Sequence, residues 1–389
     1  MRRGIVGLVV AGLVAATAAL TGPATAAQAA PSDDAVTYQV NARHDGHAAG
    51  PALPSGLSQK WSRELGGNVS YPVIAGGRVF VTVAHTESYG TDLYAFDASS
   101  GEQLWGPVDL GGLYGFSSPA YENGRVFTVN FDGQMSAFAA ATGQQLWSIG
   151  LPGQYAFSSP ITPFNGVVYT GGAGGGGTLY AVNEKTGAVL WTAGVANGDH
   201  SGPAVDATGV YVSYACQTAY RFSRAGQLIW NHVTGCSGGG GRTPVLHGDG
   251  LWIRDSAGMP AVVLSKADGT DQATYSSATA PAFVGAIGLT LNSGTLTGIN
   301  ANTGAIRWSQ AGDGQLAGAP VISGRIAYIG SGTGTVFGYD VGTGKQVWSG
   351  SAGAPVVGPD EQNATVLQGL AIGNGVLAVP ASTRLTIFG

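Results

Sequence analysis

The chain has 389 residues, of which 66 are glycine, 10% are charged and 44% are hydrophobic. This composition excludes a disordered chain and favours an all-β protein whose many short strands are separated by glycine turns. The net charge is −5 and no basic run follows Arg2 and Arg3, so nucleic acid is not an expected partner.

The first 29 residues have the pattern of a cleaved secretory signal peptide. Arg2 and Arg3 precede the apolar stretch Gly4–Leu20, and small residues that permit cleavage follow it. The alternative is a membrane anchor, which needs roughly 20 apolar residues, but Gly22-Pro23 shortens this segment. No later stretch has the length and apolarity of a membrane span, so we expect a secreted, extracellular protein.

A motif that ends in tryptophan recurs about every 40 residues, which is typical of a β-propeller. It is clearest in Leu93–Trp105 (LYAFDASSGEQLW), Met135–Trp147 (MSAFAAATGQQLW) and Leu179–Trp191 (LYAVNEKTGAVLW). One copy is degenerate, because Trp230 and Trp308 are about two periods apart. Tyr275 is expected to replace the missing tryptophan.

Each repeat predicts four short strands. In Tyr71–Trp105 these are YPVIA, VFVTV, LYAFD and EQLW, joined by glycine turns. After Trp348 the chain offers strand-like segments at Ala354–Gly358, Leu370–Val379 and Leu385–Phe388 but no fourth strand, whereas Ser58–Leu65 is a fourth strand without its blade. Joining the two ends completes an eighth blade and removes exposed sheet edges.

The sequence therefore predicts an all-β, eight-bladed β-propeller with four-stranded antiparallel blades, the last of which is closed by the N-terminal strand. The expected domains are a signal peptide at residues 1–29, a lead-in segment at 30–56 and a single propeller at 57–389. An open solenoid is the alternative, but it requires capping repeats that the sequence does not show.

The A-x-D-x-x-T-G-x-x-x-W pattern, seen as Ala95–Trp105 and more loosely at Gly338–Trp348, resembles the repeat of the pyrroloquinoline-quinone-binding-like (quinoprotein-type) β-propellers. That family includes quinone-dependent alcohol and sugar dehydrogenases and the propeller subunit of outer-membrane protein assembly. The resemblance implies that a dehydrogenase would have a vicinal cysteine pair against the quinone, a calcium ion and an aspartate base. Cys216 and Cys236 are not vicinal, and no residue matches the calcium ligands or the base.

We therefore predict no catalytic residue, no cofactor and no metal. A small oxidoreductase with pyrroloquinoline quinone and calcium remains the alternative.

The two cysteines are expected to form a disulfide, because exported proteins favour the bond and both residues fall in loops on one face of a blade. Two buried thiols are the alternative. On the same face, the segments that lead into each first strand gather candidate ligand-binding residues at the channel mouth: Tyr71, Tyr114, Phe116, Tyr155, Phe157, His200 and Arg242. Phe116 and Phe157 also suit packing between blades.

Polar loop residues form a second set of candidates: His85, Glu87, Asp92, Asp132 and Asp255. Their spacing matches neither an EF-hand loop nor a zinc motif, so solvated loops are the favoured interpretation. The predicted function is a secreted, non-enzymatic binding or scaffold propeller, a monomer that recognises a protein or carbohydrate partner at the channel mouth.

Overall fold

A computed structural model describes Met1, residues 33–236 and residues 238–389. The expected signal peptide, apart from Met1, lies outside the described residues. Within those residues the named elements are 33 strands arranged in eight sheets. This arrangement confirms the predicted all-β, eight-bladed propeller. No helix in the described part of the chain has the length and apolarity needed to cross a bilayer.

Two strands, β1 (His47–Ala48) and β2 (Gln59–Glu64), precede the first complete blade. The strands of blades 1 to 4 follow in chain order: β3 (Val73–Ala75), β4 (Arg78–Ala84), β5 (Thr91–Asp97), β6 (Gln103–Asp109); β7 (Ser117–Glu122), β8 (Arg125–Asn130), β9 (Gln134–Ala139), β10 (Gln145–Gly150); β11 (Thr162–Phe164), β12 (Val167–Ala173), β13 (Gly177–Asn183), β14 (Val189–Val195); β15 (Ala204–Asp206), β16 (Gly209–Ser213), β17 (Ala219–Phe222), β18 (Leu228–His232).

The strands of blades 5 to 8 complete the ring: β19 (Val245–His247), β20 (Gly250–Ile253), β21 (Ala261–Ser265), β22 (Asp271–Tyr275); β23 (Ala282–Val284), β24 (Ile287–Asn292), β25 (Thr295–Asn300), β26 (Ile306–Gln310); β27 (Val321–Ser323), β28 (Ile326–Gly330), β29 (Thr335–Asp340), β30 (Gln346–Ser351); β31 (Ala371–Gly373), β32 (Val376–Ala381), β33 (Arg384–Phe388). We call the side that carries the second-to-third loops and the blade-to-blade loops face A.

Both ends of the propeller meet in blade 8, as predicted. The strand order is β2-β33-β32-β31, with Trp61 opposite Ile387 and Ser62 opposite Thr386. The expected strand at Ala354–Gly358 is wrong, because this segment pairs with no strand and belongs to a long loop. The reason is that Leu370–Val379 holds a glycine hairpin and supplies two strands, β31 and most of β32, so the blade is complete without it.

The recurring tryptophan joins neighbouring blades. In six cases the indole lies against the hairpin glycine of the next blade, so that a Cβ on the glycine would come within 3 Å of the ring; the pairs are Trp61–Gly101, Trp105–Gly143, Trp147–Gly187, Trp191–Gly226, Trp230–Gly269 and Trp308–Gly344. The indole N–H also donates to a carbonyl of the same hairpin, as from Trp147 to Glu184 at 2.9 Å. Trp348, which faces blade 8, donates instead to Leu57. The repeated motif is therefore a blade-to-blade contact.

Blade 5 lacks this contact, and the expected role of Tyr275 is wrong. The tryptophan of blade 3 stands opposite Ala181, just before a bulge between β13 and β14. In blade 5 the corresponding residue is Ala273, which stands opposite Val263 before the same bulge, and Tyr275 follows two residues later. The position of the bulge decides which residue takes the tryptophan position, and the sequence alone does not show where the bulge lies. Tyr275, the nearest aromatic residue in the sequence, is for that reason the expected substitute.

The lead-in segment touches all eight blades. Backbone hydrogen bonds join it to the innermost part of the blades. The N–H of Asn374 in blade 8 donates to Asp33, and the N–H of Tyr121 in blade 2 donates to Val36. Further along the segment, Gly46 accepts from Ile322 of blade 7. The β1 strand then pairs in parallel with β27. These contacts lie near the first-to-second hairpins, so the lead-in fills the central channel on the side opposite face A.

His44 in this segment is fully buried and neutral. Its Nδ1–H donates to the carbonyl of Pro244, so Nε2 accepts from the hydroxyl of Thr162. Burial lowers the pKa of His44 to about 3, because the charged ring would have lost its hydration. The histidine therefore links blades 3 and 5 through the channel and does not act as an exposed ligand.

Candidate functional site

Three of the predicted rim residues are buried. The ring of Tyr71 packs against Tyr38 of the lead-in, with ring centroids 5.5 Å apart, and its hydroxyl donates to the carbonyl of Pro119. Phe116 and Phe157 belong to the core cluster between blades 2 and 3. These aromatic side chains stabilise the packing of the blades and are not accessible to a ligand.

Two other predicted residues, Tyr114 and Tyr155, are exposed on face A. Tyr114 contacts Phe131 edge-to-face, with ring centroids 4.4 Å apart, and lies 6.1 Å from the ring of Tyr89. Tyr155 lies on the next blade-to-blade loop, where its hydroxyl donates to the carbonyl of Gly174. These side chains lie on face-A loops of blades 1 to 3, and we refer to them together with the exposed Leu113 as the aromatic patch: Tyr89, Leu113, Tyr114, Phe131 and Tyr155.

The patch is held in place by local contacts. Phe131 sits directly after β8, and its carbonyl accepts from the backbone N–H of Phe157. Tyr89 and Tyr155 are 71% and 68% exposed, so most of each aromatic side chain is open to solvent. Sequence reasoning missed Tyr89 and Phe131 because it searched second-to-third loops only for acidic residues and histidines. A search of the same loops for aromatic residues would have found both.

His200 and Arg242 lie on face A but are engaged by the fold. The imidazole of His200 is within 3.0 Å of the Ser158 hydroxyl and 3.4 Å of an Asp199 carboxylate oxygen, and only 13% of its side chain is exposed. Arg242 donates to the carbonyl of Ala278 at 2.8 Å. Their contacts order the loops between blades 3 and 6.

An acidic group flanks the aromatic patch. Ligand atoms of His85, Asp92 and Asp109 all lie within 4.8 Å of one another, the one such group found among the described residues. Burial opposes the charged form of His85, but the Nδ1–H bond to the Tyr89 carbonyl and the nearby Asp92 raise the pKa above its usual value. The edge of the patch therefore carries two carboxylates, only one of which a protonated histidine can neutralise.

The remaining polar candidates are solvated or structural. Glu87 is exposed. Asp255 accepts hydrogen bonds from the backbone N–H groups of Gln217, Ala257 and Met259, so it orders two loops. The exposure of Glu87 agrees with a solvated loop, whereas the contacts of Asp255 are structural.

The face-A mouth of the channel is occupied by the chain itself. The loop between β30 and β31 crosses the ring, since Glu361 accepts from Thr243 of blade 5 and Leu367 accepts from Tyr71 of blade 1. Glu361 pairs with Arg254 through two hydrogen bonds of 2.5 and 3.0 Å, and both side chains are almost fully buried. The two partners are 107 residues apart in the sequence, and no local sequence motif predicts that they pair.

This arrangement does not fit a quinone with calcium in the mouth. A calcium site needs several oxygens that are free to converge on the ion. Glu361 is instead committed to Arg254 and to the backbone of Thr243, and the neighbouring Gln362 donates to the carbonyl of Gly241. A ligand at this place would have to displace the loop and leave Arg254 buried without a partner.

The predicted disulfide is confirmed. Cys216, in the loop after β16, is bonded to Cys236, in the loop after β18, with Cα atoms 5.7 Å apart. The hydroxyl of Thr234 donates to the carbonyl of Cys216 and supports the same turn. A disulfide between face-A loops fits a compartment outside the cytoplasm.

Comparisons with solved structures show the same fold. Quinohemoprotein alcohol dehydrogenase from Comamonas testosteroni superposes with a TM-score of 0.70 at 14% identity, covering 93% of this chain and 81% of that one. BamB from Moraxella catarrhalis superposes with a TM-score of 0.61 at 18% identity, covering 85% of this chain and 97% of that one. At such low identity, both similarities concern the fold alone.

Among curated relatives, the outer membrane protein assembly factor BamB of Burkholderia pseudomallei is 32% identical over 136 residues. The match covers 34% of this chain and 34% of the relative's length. The family model described as outer membrane protein assembly factor BamB matches residues 56–164, 156–286 and 263–388, which together span nearly the whole propeller. The chain therefore belongs to this family of quinoprotein-like β-propellers.

Proposed function

We propose that this protein is a non-catalytic binding propeller that holds a protein partner on face A of blades 1 to 3. The observation that carries the proposal is the aromatic patch, in which Tyr89, Leu113 and Tyr155 are each at least 60% exposed on ordered loops. Exposed aromatic side chains on a rigid support are typical of binding surfaces, because they bury a large area at a small cost in conformational entropy.

The chemistry of the patch favours a partner segment with apolar and basic side chains. Apolar groups would pack on the tyrosines, and Lys or Arg residues would face Asp92 and Asp109 at the patch edge. An assembly-factor role, as named for the BamB relatives, supports a protein partner over a carbohydrate. The patch replaces the predicted channel mouth as the proposed binding surface, because Glu361 and its loop occupy that mouth.

We further propose export from the cytoplasm, which the disulfide supports. In an oxidising compartment the Cys216–Cys236 bond would hold the loops of blades 4 and 5. The aromatic patch lies on other blades and would remain free for the partner.

The test uses peptides selected from a displayed library against the purified protein, with affinities measured by fluorescence anisotropy. We expect enrichment of peptides that combine aromatic or aliphatic residues with Lys or Arg. The variant Tyr89→Ala/Tyr114→Ala/Tyr155→Ala should bind them at least about tenfold more weakly, since a few aromatic residues usually dominate an interface.

The matched control is Leu146→Ala/Leu190→Ala/Ile229→Ala, which removes three exposed apolar side chains from the outer strands. It should bind as the unmodified protein does. Equal binding by the patch variant would overturn the proposal. So would sugar-dependent dye reduction after addition of pyrroloquinoline quinone and calcium, or binding of oligosaccharides in place of peptides.

A further inference from the structure

The interface between blades 5 and 6 has an open crevice. Its volume is about 670 Å³, within the usual range of small-molecule sites. Apolar side chains of both blades line it, including Trp252 and Val263 of blade 5 and Ile299 and Ile306 of blade 6. It lies away from the aromatic patch on blades 1 to 3.

The crevice lies where six other interfaces hold an indole. Ala273 stands at the tryptophan position of blade 5, and its methyl group leaves the facing hairpin uncovered. At Gly304, the hairpin glycine of blade 6, a Cβ would meet no atom within 4 Å beyond its chain neighbours. At Gly187 the same position would lie 2.8 Å from the ring of Trp147.

A carbonyl group that could accept a hydrogen bond from an indole N–H is also present. Trp147 and Trp308 donate to Glu184 and Val341, each of which lies three residues before its hairpin glycine. In blade 6 that residue is Ala301, which lines the crevice. The hairpin backbone there has the same conformation, with φ of 70° at Gly304 and 73° at Gly187.

We propose that this crevice binds a planar aromatic ligand of the indole class, with its ring against Gly304 and its N–H toward the carbonyl of Ala301. Six other interfaces of the same chain define this complementarity, since each of the six surrounds an indole with a glycine and a carbonyl acceptor. The volume of the crevice exceeds that of one indole ring, and Gln272, Thr290 and Asn292 also line it. The ligand therefore carries a polar substituent, as an indole-bearing amino acid or a partner's tryptophan side chain does.

The experiment measures binding of indole, N-methylindole and N-acetyltryptophanamide to the full chain by saturation-transfer NMR and calorimetry. Indole should bind, and N-methylindole should bind about fivefold more weakly, because it lacks the N–H donor. N-acetyltryptophanamide represents a protein-borne side chain. If it binds more tightly than indole, the polar substituent contributes to binding as inferred; if indole binds more tightly, the inferred polar substituent is wrong.

The decisive variant is Ala273→Trp, which supplies the missing indole from the chain. Binding should fall by more than about tenfold and the melting temperature should rise, since the interface would be completed. The matched control Leu190→Trp adds an exposed tryptophan to the outer strand of blade 3 and should bind indole as the unmodified protein does. If Ala273→Trp does not fold, Ala273→Leu fills part of the same space and serves in its place.

Two results would overturn the proposal. One is the absence of binding by both indole and N-acetyltryptophanamide up to their solubility limits. The other is equal binding by the Ala273 variants and the unmodified protein. Because the crevice and the aromatic patch lie on different blades, neither result bears on the peptide-binding proposal.

Discussion

The indole of Trp147 lies against the backbone of Gly187 and donates to the Glu184 carbonyl three residues earlier. A Cβ on Gly187 would lie 2.8 Å from the ring, closer than real Cβ contacts allow. Glycine is therefore required at this position for two reasons: the backbone has a positive φ of 73°, and the tryptophan ring lies too close for a side chain.

We expect Gly187→Ala to lower the free energy of unfolding by about 1–3 kcal/mol more than Gly304→Ala does. Both glycines have the same left-handed backbone conformation, so the backbone cost cancels, and only Gly187 faces a tryptophan. Urea unfolding of the two variants measures the difference. Equal losses would mean that the tryptophan contact does not constrain the glycine.

Breaking the buried Arg254–Glu361 pair should strongly destabilise the protein. Glu361→Ala leaves the guanidinium of Arg254 buried without its carboxylate, which costs about 3–5 kcal/mol. The exposed Arg325–Asp340 pair is the reference, and Arg325→Ala should cost less than about 1 kcal/mol. Denaturant unfolding and proteolysis of the loop between β30 and β31 give two readouts. A Glu361→Ala loss as small as the reference would contradict the role of the pair in closing the mouth.

Loss of the disulfide should lower stability without affecting the aromatic patch. Replacing both Cys216 and Cys236 by serine should reduce the free energy of unfolding by about 2–4 kcal/mol, because the unfolded chain regains loop entropy. Thermal unfolding with and without reductant provides the measurement. Reductant should lower the melting temperature of the unmodified protein and leave that of the double variant unchanged; an effect on both would point to another cause.

The buried carboxyl group of Glu122 makes stability depend on pH. Burial raises the pKa of Glu122 to about 7, partly offset by the N–H of Gly166 and reinforced by the neighbouring Glu184. Between the ordinary value of 4.5 and about 7, the folded state keeps a proton that the unfolded state has released. Stability from this group is therefore present at low pH and lost as the pH rises through that window.

Glu184→Gln should make this loss smaller, because it removes the neighbouring charge that favours the protonated form. Urea midpoints between pH 5 and 8 in the variant and the unmodified protein measure the change. The exposed Glu102→Gln is the control and should keep the original slope. A steeper slope in Glu184→Gln would contradict the assignment.

The candidate site was only partly predictable. Tyr114 and Tyr155 follow from the rule that blade-to-blade loops share one face, but the same rule selected Phe116 and Phe157, whose rings the fold buries. Alternation along the chain does not say which aromatic residue of a loop turns inward. That depends on the space left by Gly133 and Gly172, against which Phe157 packs.

The ring follows from the sequence alone, because the spacing of Trp105, Trp147 and their equivalents repeats a local hairpin that packs against the next copy. The closure at Trp61 also follows from the sequence, since an unpaired fourth strand and an incomplete last blade complement each other. The contents of the channel and the blade 5 interface, in contrast, are visible only in the folded structure. Contacts between different segments produce these features: the Arg254–Glu361 pair, the packing of the lead-in and the bulge that puts Ala273 in the tryptophan position. Such contacts leave no periodic pattern in the sequence.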